Sequence, residues 1–223
     1  MGIIRLDGKN NIEVLEPVVT WEERPEFALS SEDFRVSTNR GIDQTIIHTT
    51  TGEGPQTFGD IGPSGQGAEN NARYWRRNKN SASAQLLVDS DGSIVQTHFL
   101  IPIIAWHAKG ASPRSIGIEC VQTNTEKKVF RVQARTCASI IRGLVLCGHS
   151  QIKLANPDGS INVRTEYDSH TAHVRKVFPG TPGVYGHRDV CPEDRGRNDP
   201  GDFLMIEIAT SLETLGIQVN RGA

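Results

Sequence analysis

The sequence predicts a single α/β domain, in which a mixed central β-sheet is flanked by helices and preceded by an N-terminal extension. Apolar, β-branched runs of strand length alternate with two long segments of helical periodicity. One pair of runs predicts an antiparallel hairpin, so parallel and antiparallel strands share the sheet. At 223 residues the chain fits one compact domain.

The first 40 residues predict an extension that packs on the domain, because they lack sustained periodicity and are rich in acidic side chains. The domain itself is expected over 41–223. Its first strand is predicted over 42–48, where an apolar, β-branched run ends in His48. A glycine-rich loop over 52–67 follows, and we expect it to shape a cleft beside this histidine.

A short helix and a hairpin come next. Ala68, Ala72 and Trp75 recur at helical spacing. Two apolar runs, 84–90 and 93–97, flank Asp91-Gly92, a dipeptide that favours a two-residue hairpin turn. The basic residues of the helix are interpreted as a solvated face, with contact to an anionic glycan or carboxylate as the alternative: Arg73, Arg76, Arg77 and Lys79.

The second half of the chain predicts a buried strand over 115–121 and two helices. The first helix is expected over 127–146 and the second from Pro200 to Gly216, because apolar residues line one stripe in each. Residues 148–183 are less regular; they contain a possible strand over 161–167 and are interpreted as an insertion, either a flap at the cleft or a surface elaboration.

Composition excludes several classes of function. A net charge of -2 argues against binding nucleic acid through phosphate neutralisation. No apolar run approaches the length of a membrane span, and the start of the chain becomes polar too early for a secretory signal. The four cysteines are not spaced as a disulfide framework or a structural zinc site, so we expect reduced thiols, with a disulfide formed after export as the alternative.

Four short blocks carry residues suited to hydrolytic chemistry, and they occur in a fixed order along the chain. After the strand that ends in His48, these blocks are Trp106-His107-Ala108, Ser115-Ile116-Gly117-Ile118-Glu119, Tyr185-Gly186-His187-Arg188-Asp189 and Asp199-Pro200-Gly201.

Together the blocks resemble the type 2 N-acetylmuramoyl-L-alanine amidases, the family of peptidoglycan recognition proteins and phage lysozyme-like zinc amidases. The resemblance covers residues about 42–215. It implies a Zn²⁺ cofactor held by His48, His187 and Asp199, because a catalytic zinc takes three protein ligands and keeps one open position. The loop before Asp199 is two residues longer than in relatives, so Asp194 and Cys191 stay open as alternative third ligands.

The resemblance also assigns catalytic roles. Glu119 matches the general base of relatives, and the alternative is a structural ion pair with Arg114 or Lys109. Arg197 stands where relatives carry a lysine; its guanidinium can stabilise an oxyanion but does not readily give up a proton.

The block around His107 lines the cleft in relatives. It implies contact with substrate for Trp106, and substrate contact or support of the oxyanion for His107, with a structural role as the alternative. Gln85 stands where many relatives carry a histidine.

The activity implied is zinc-dependent hydrolysis of the amide bond between N-acetylmuramic acid and the L-alanine of the stem peptide, with peptidoglycan or a muropeptide as substrate. We expect a monomer that is synthesised in the cytoplasm and acts on the cell wall after release or delivery, as an endolysin or a toxin. A non-catalytic recognition module and a recycling amidase for anhydro-muropeptides are the alternatives.

Overall fold

The computed structural model describes residues 1–50, 58–62, 67–79, 83–122, 128–166, 181–191 and 199–222. Its helices are α1 (Gly67–Arg77), α2 (Arg131–Leu146), α3 (His187–Val190) and α4 (Asp202–Thr214), with 3₁₀ turns at Pro25–Phe27 and Lys109–Arg114. Its strands are β1 (Gly2–Arg5), β2 (Asn11–Val14), β3 (Val18–Thr20), β4 (Phe34–Val36), β5 (Gln44–Thr49), β6 (Phe58–Gly59), β7 (Leu86–Val88), β8 (Ile94–Gln96), β9 (Ile103–Ala105), β10 (Ser115–Cys120), β11 (Val129–Phe130), β12 (Ile161–Val163), β13 (Gly183–Gly186) and β14 (Val219–Arg221).

Eight of the described strands form one mixed sheet in the order β14-β12-β13-β5-β10-β7-β8-β3. Neighbours run parallel except for the antiparallel β7–β8 pair. Three smaller two-stranded pairs, β1–β2, β6–β11 and β4–β9, lie outside it. A central mixed sheet flanked by helices in one domain confirms the predicted fold class.

The helices cover both faces of this sheet, as their apolar stripes require. On one face, α2 and α4 pack on the sheet, and their buried residues join one large core with Ile116 and Ile118 of β10. On the other face, α1 buries Ala72 and Trp75 against Leu87 of β7. The three residues predicted at helical spacing in α1, Ala68, Ala72 and Trp75, are all buried.

Two element boundaries differ from the prediction for local reasons. Helix α2 begins at Arg131 rather than at 127, because Val129–Phe130 pairs with Phe58–Gly59 as a short parallel ladder. The β7–β8 hairpin is confirmed, but Asp89 N–H bonds Ser93 C=O, which leaves a three-residue loop ending at Gly92 with φ +86°. A loop of this length with a left-handed glycine at its end is a common hairpin connection.

The N-terminal extension is more regular than its composition suggests. Strand β3 pairs in parallel with β8 and so becomes an edge of the central sheet. Residues 148–183 contribute strand β12 to the sheet, within the possible strand 161–167. Residues 167–180 and most of the glycine-rich loop lie outside the described residues, so the interpretation of this segment as a flap or a surface elaboration stays a prediction. Within the described part of the chain, no helix is long and apolar enough to cross a membrane.

Candidate active site

The site forms where three adjacent parallel strands end. His48 and Glu119 lie near the carboxyl ends of β5 and β10, and His187 follows β13 directly. Glu119 is the register partner of His48. Register partners on parallel strands send their side chains to the same face, so these two side chains emerge together.

A buried group of three potential metal ligands lies at this edge. Atoms of His48, His187 and Asp199 that could bind a metal all lie within 4.8 Å of one another. The Asp199 Oδ2 oxygen is 3.0 Å from His187 Nδ1 and 3.9 Å from His48 Nδ1. The fold thus brings together the three residues that the sequence proposed as ligands.

One oxygen of Asp199 is fixed by the backbone. Its Oδ1 accepts the N–H of Thr49 at 2.8 Å, and its main-chain carbonyl accepts the N–H of Arg188 at 2.8 Å. These two bonds tie the loop before α4 to the ends of β5 and β13. Because Oδ1 is engaged in this way, Oδ2 is the oxygen that faces the two histidines.

His187 is presented by a short helical turn that is itself anchored. Asp189 Oδ2 accepts the N–H of Gly186 at 2.7 Å, and the fully buried Arg188 donates to Asp202 at the start of α4. Burial raises the pKa of Asp189 to about 6, against the opposing effect of Arg188. The second ring nitrogen of His187, Nε2, is buried and has no hydrogen-bond partner among the described residues, so the ring is held through Nδ1.

The donor set and its spacing fit zinc. Two imidazole nitrogens and a carboxylate oxygen are a common ligand set for a catalytic zinc. Tetrahedral ligands at about 2.0–2.1 Å from the ion lie about 3.3 Å apart, and the observed separations of 3.0 and 3.9 Å fall on either side of this value. Cys191, an alternative third ligand, instead directs its thiol toward Ala108 C=O at 3.9 Å. Asp194 lies outside the described residues.

His107 lies against one of these ligands. Its Nδ1 is 3.1 Å from His48 Nε2, and its Nε2 is 3.2 Å from the Ser115 hydroxyl. Burial lowers the pKa of His107 to about 3, and the charges of Arg40 and His187 act in the same direction. The imidazole is therefore neutral near pH 7.

Trp106 is more accessible than its neighbour. The residue is 41% exposed, while its Nε1 donates to Glu32 C=O at 3.1 Å. The guanidinium carbon of Arg35 lies 6.0 Å from the centre of the indole ring, at the outer limit of a cation–π contact. A fixed aromatic face at the surface suits the predicted contact with substrate, which stays a prediction.

The structure describes only one of the two predicted catalytic residues. Glu119 is half-buried at its position beside His48, and Arg114, one of its alternative ion-pair partners, pairs with Asp43. Arg197 lies outside the described residues, so its role as oxyanion stabiliser stays a prediction.

Two residues of β10 that lie beneath His107 were not predicted to belong to the site. Ser115 and Gly117 lie on the same face of β10 as Glu119, and a Cβ atom at Gly117 would lie 2.7 Å from His107 Cγ. Small residues at alternate positions of a buried strand are the sequence signal that a side chain packs over them.

Three potential metal ligands beside a carboxylate at the end of parallel strands suit a hydrolase, and comparison with known proteins agrees. The sequence pattern of the N-acetylmuramoyl-L-alanine amidase family matches residues 38–202. The chain therefore belongs to this family, which confirms the predicted resemblance and class of enzyme. No curated protein sequence matches the chain.

Two solved structures share the fold. A mutant of Drosophila PGRP-LB in complex with tracheal cytotoxin is 16% identical, with a TM-score of 0.51, and the match covers 86% of this chain and 93% of that one. Staphylococcus aureus hydrolase AmiA in complex with its ligand is 16% identical, with a TM-score of 0.50, and the match covers 97% and 98%. At this identity the two structures establish the shared fold alone.

Proposed function

We propose that the protein uses zinc to hydrolyse the amide bond between N-acetylmuramic acid and the L-alanine of the peptidoglycan stem peptide. The observation that carries this proposal is the convergence of three buried ligand atoms beside a carboxylate in register with one of them, in a chain of the amidase family. Metal-assisted hydrolysis requires a ligand set and a base, and the proposal assigns both to residues of this site.

His48, His187 and Asp199 would hold the ion. Zinc in such a set polarises the scissile carbonyl and lowers the pKa of a water ligand to about 7. Asp199 is well suited to this role, because the Thr49 N–H holds Oδ1 and leaves Oδ2 directed at the histidines.

Glu119 would act as the general base. Glu119 is the register partner of His48, so its carboxylate emerges on the same face of the sheet as this proposed ligand and would accept a proton from the attacking water. Arg197 is the residue proposed to stabilise the developing oxyanion, because hydrogen bonds to His48 and Ser115 occupy both ring nitrogens of His107.

The reaction is tested with purified sacculi and with a soluble disaccharide-peptide. We expect the wild type to release new L-alanine amino termini, with the matching lactyl carboxyl group identified by mass spectrometry. Glu119→Gln should bind zinc normally and lose about 10²–10⁴-fold in kcat, the range for a general base. The exposed Glu213, which pairs with Arg221, provides the control Glu213→Gln, which should keep full activity. Zinc binding without release of amino termini would contradict the proposal and indicate a recognition module.

The biological setting proposed is lysis of the bacterial cell wall, by an endolysin or a delivered toxin. In that case turnover of intact sacculi exceeds turnover of soluble anhydro-muropeptides at equal stem-peptide concentration. The reverse preference would instead identify an enzyme that acts on wall fragments.

A further inference from the structure

A directed chain of three hydrogen bonds ends at the metal-ligand group. The His48 and His107 rings are linked Nε2 to Nδ1 at 3.1 Å, and His107 Nε2 is 3.2 Å from Ser115 Oγ. The Ser115 hydroxyl donates to Ala111 C=O at 2.8 Å. All three side chains are at least nine-tenths buried, so water does not compete for these bonds.

The direction of each bond follows from the last one. Ser115 has one hydroxyl proton and gives it to Ala111, so its oxygen accepts and His107 Nε2–H donates. A neutral His107 then carries a lone pair on Nδ1, which accepts Nε2–H of His48. The proton of His48 is thereby fixed on Nε2, and the lone pair is left on Nδ1, the atom 3.9 Å from Asp199 Oδ2.

We propose that His107 and Ser115 are positioning residues that fix the tautomer and the ring orientation of the ligand His48. This inference rests on the proposed zinc function, because it concerns how one ligand is prepared for the ion. Partners of this kind usually change metal affinity by about 10–100-fold when they are removed.

The backbone of β10 beneath His107 supports this series of hydrogen bonds. Only a residue without a side chain fits at Gly117, since an added Cβ would lie 2.7–3.0 Å from three atoms of the imidazole. Gln85 accepts the N–H of Gly117 at 2.9 Å, and the buried Arg40 donates to Ser115 C=O. Hydrogen bonds therefore hold the β10 backbone beneath the His107 ring at both Gly117 and Ser115.

Zinc affinity, measured by competition with a chromogenic chelator, tests the proposal. His107→Ala should weaken zinc binding about 10–100-fold. His107→Asn should recover part of the loss, because its amide oxygen can accept the Nε2–H of His48. Ser115→Ala removes only the terminal hydroxyl and should weaken binding severalfold. Ser160→Ala removes a buried hydroxyl that accepts hydrogen bonds from Asn156 and Asn220, far from the site, and should leave zinc affinity unchanged.

A spectroscopic measurement separates positioning from a structural role. In ¹⁵N-histidine-labelled, metal-free protein, His48 should be the Nε2–H tautomer, and Ser115→Ala should mix the two tautomers while circular dichroism stays unchanged. Unchanged zinc affinity in His107→Ala, with a collapse of kcat or a rise of KM, would overturn the inference in favour of direct substrate contact. If the wild type itself binds no zinc, the proposed function fails first, and the tautomer measurement still decides the hydrogen-bond chain.

Discussion

Gln85 is expected to hold together the part of the sheet that carries the site. Its side chain is fully buried; Oε1 accepts the N–H of Gly117, and Nε2 donates to Ile103 C=O at 3.0 Å. The β7–β10 ladder starts only at Leu86 and Ile118, so the Gln85 side chain replaces the backbone partner that Gly117 lacks on this side.

The loss of unfolding free energy on replacing Gln85 with leucine can be estimated from the hydrogen bonds that are lost. The Gly117 N–H loses its partner, which costs about 1–3 kcal/mol for a buried group. Ile103 C=O still accepts a hydrogen bond from Arg40, so losing the Gln85 donor costs less free energy there than at Gly117. With about 1 kcal/mol for the hydrogen bond lost at Ile103 C=O, the two losses lower the unfolding free energy by about 2–4 kcal/mol. In a chain of this size, 1 kcal/mol corresponds to about 2–4 °C, so we expect the melting temperature to fall by about 4–16 °C.

Urea and thermal unfolding of metal-free protein provide the assay. The matched control is Gln218→Leu at an exposed position, which should change the unfolding free energy by no more than about 0.5 kcal/mol. A loss below about 1 kcal/mol for Gln85→Leu would refute the argument, since it would mean that the Gly117 N–H finds another partner without cost.

Three further results are expected. Asp199→Asn keeps the oxygen that accepts a backbone N–H but loses the second carboxylate oxygen, so zinc affinity should fall by more than about 100-fold while circular dichroism stays native; unchanged affinity would exclude Asp199 as a ligand. Trp106→Ala should raise KM by about tenfold at constant kcat, as removal of uniform binding does, and a fall in kcat alone would contradict its assignment to substrate binding. Of the thiols, the partly exposed Cys147 should react first with a disulfide reagent, whereas the buried Cys120 and Cys137, with sulfurs 3.6 Å apart, should react only on unfolding; rapid labelling of the buried pair would contradict this packing.

The sequence predicts the parts of the fold that follow from periodicity. The stripe of α2 and the run that ends in His48 are long enough for the pattern to identify element and buried face. Strand β3 has only three residues and gains its place by pairing with β8. No local pattern distinguishes such a strand from a loop, so the sequence alone predicts only an extension for the first 40 residues.

The site also has features that the sequence predicts and others that depend on tertiary packing. Motif order alone brought His48, His187 and Asp199 into one hypothesis, but it left the third ligand open among Asp199, Asp194 and Cys191. The path of a loop decides which side chain reaches the histidines, and here the bond from Thr49 N–H to Asp199 marks that path. The contact of His107 with His48 likewise depends on packing over β10, which spacing along the chain does not encode.

The most direct test of the account is a zinc titration of the metal-free protein, with release of L-alanine amino termini from peptidoglycan as the readout. The account predicts no release without metal, and a linear rise that reaches its plateau at one zinc per chain. Full activity in protein shown to be free of metal would contradict the central claim that His48, His187 and Asp199 form the catalytic centre of a zinc amidase.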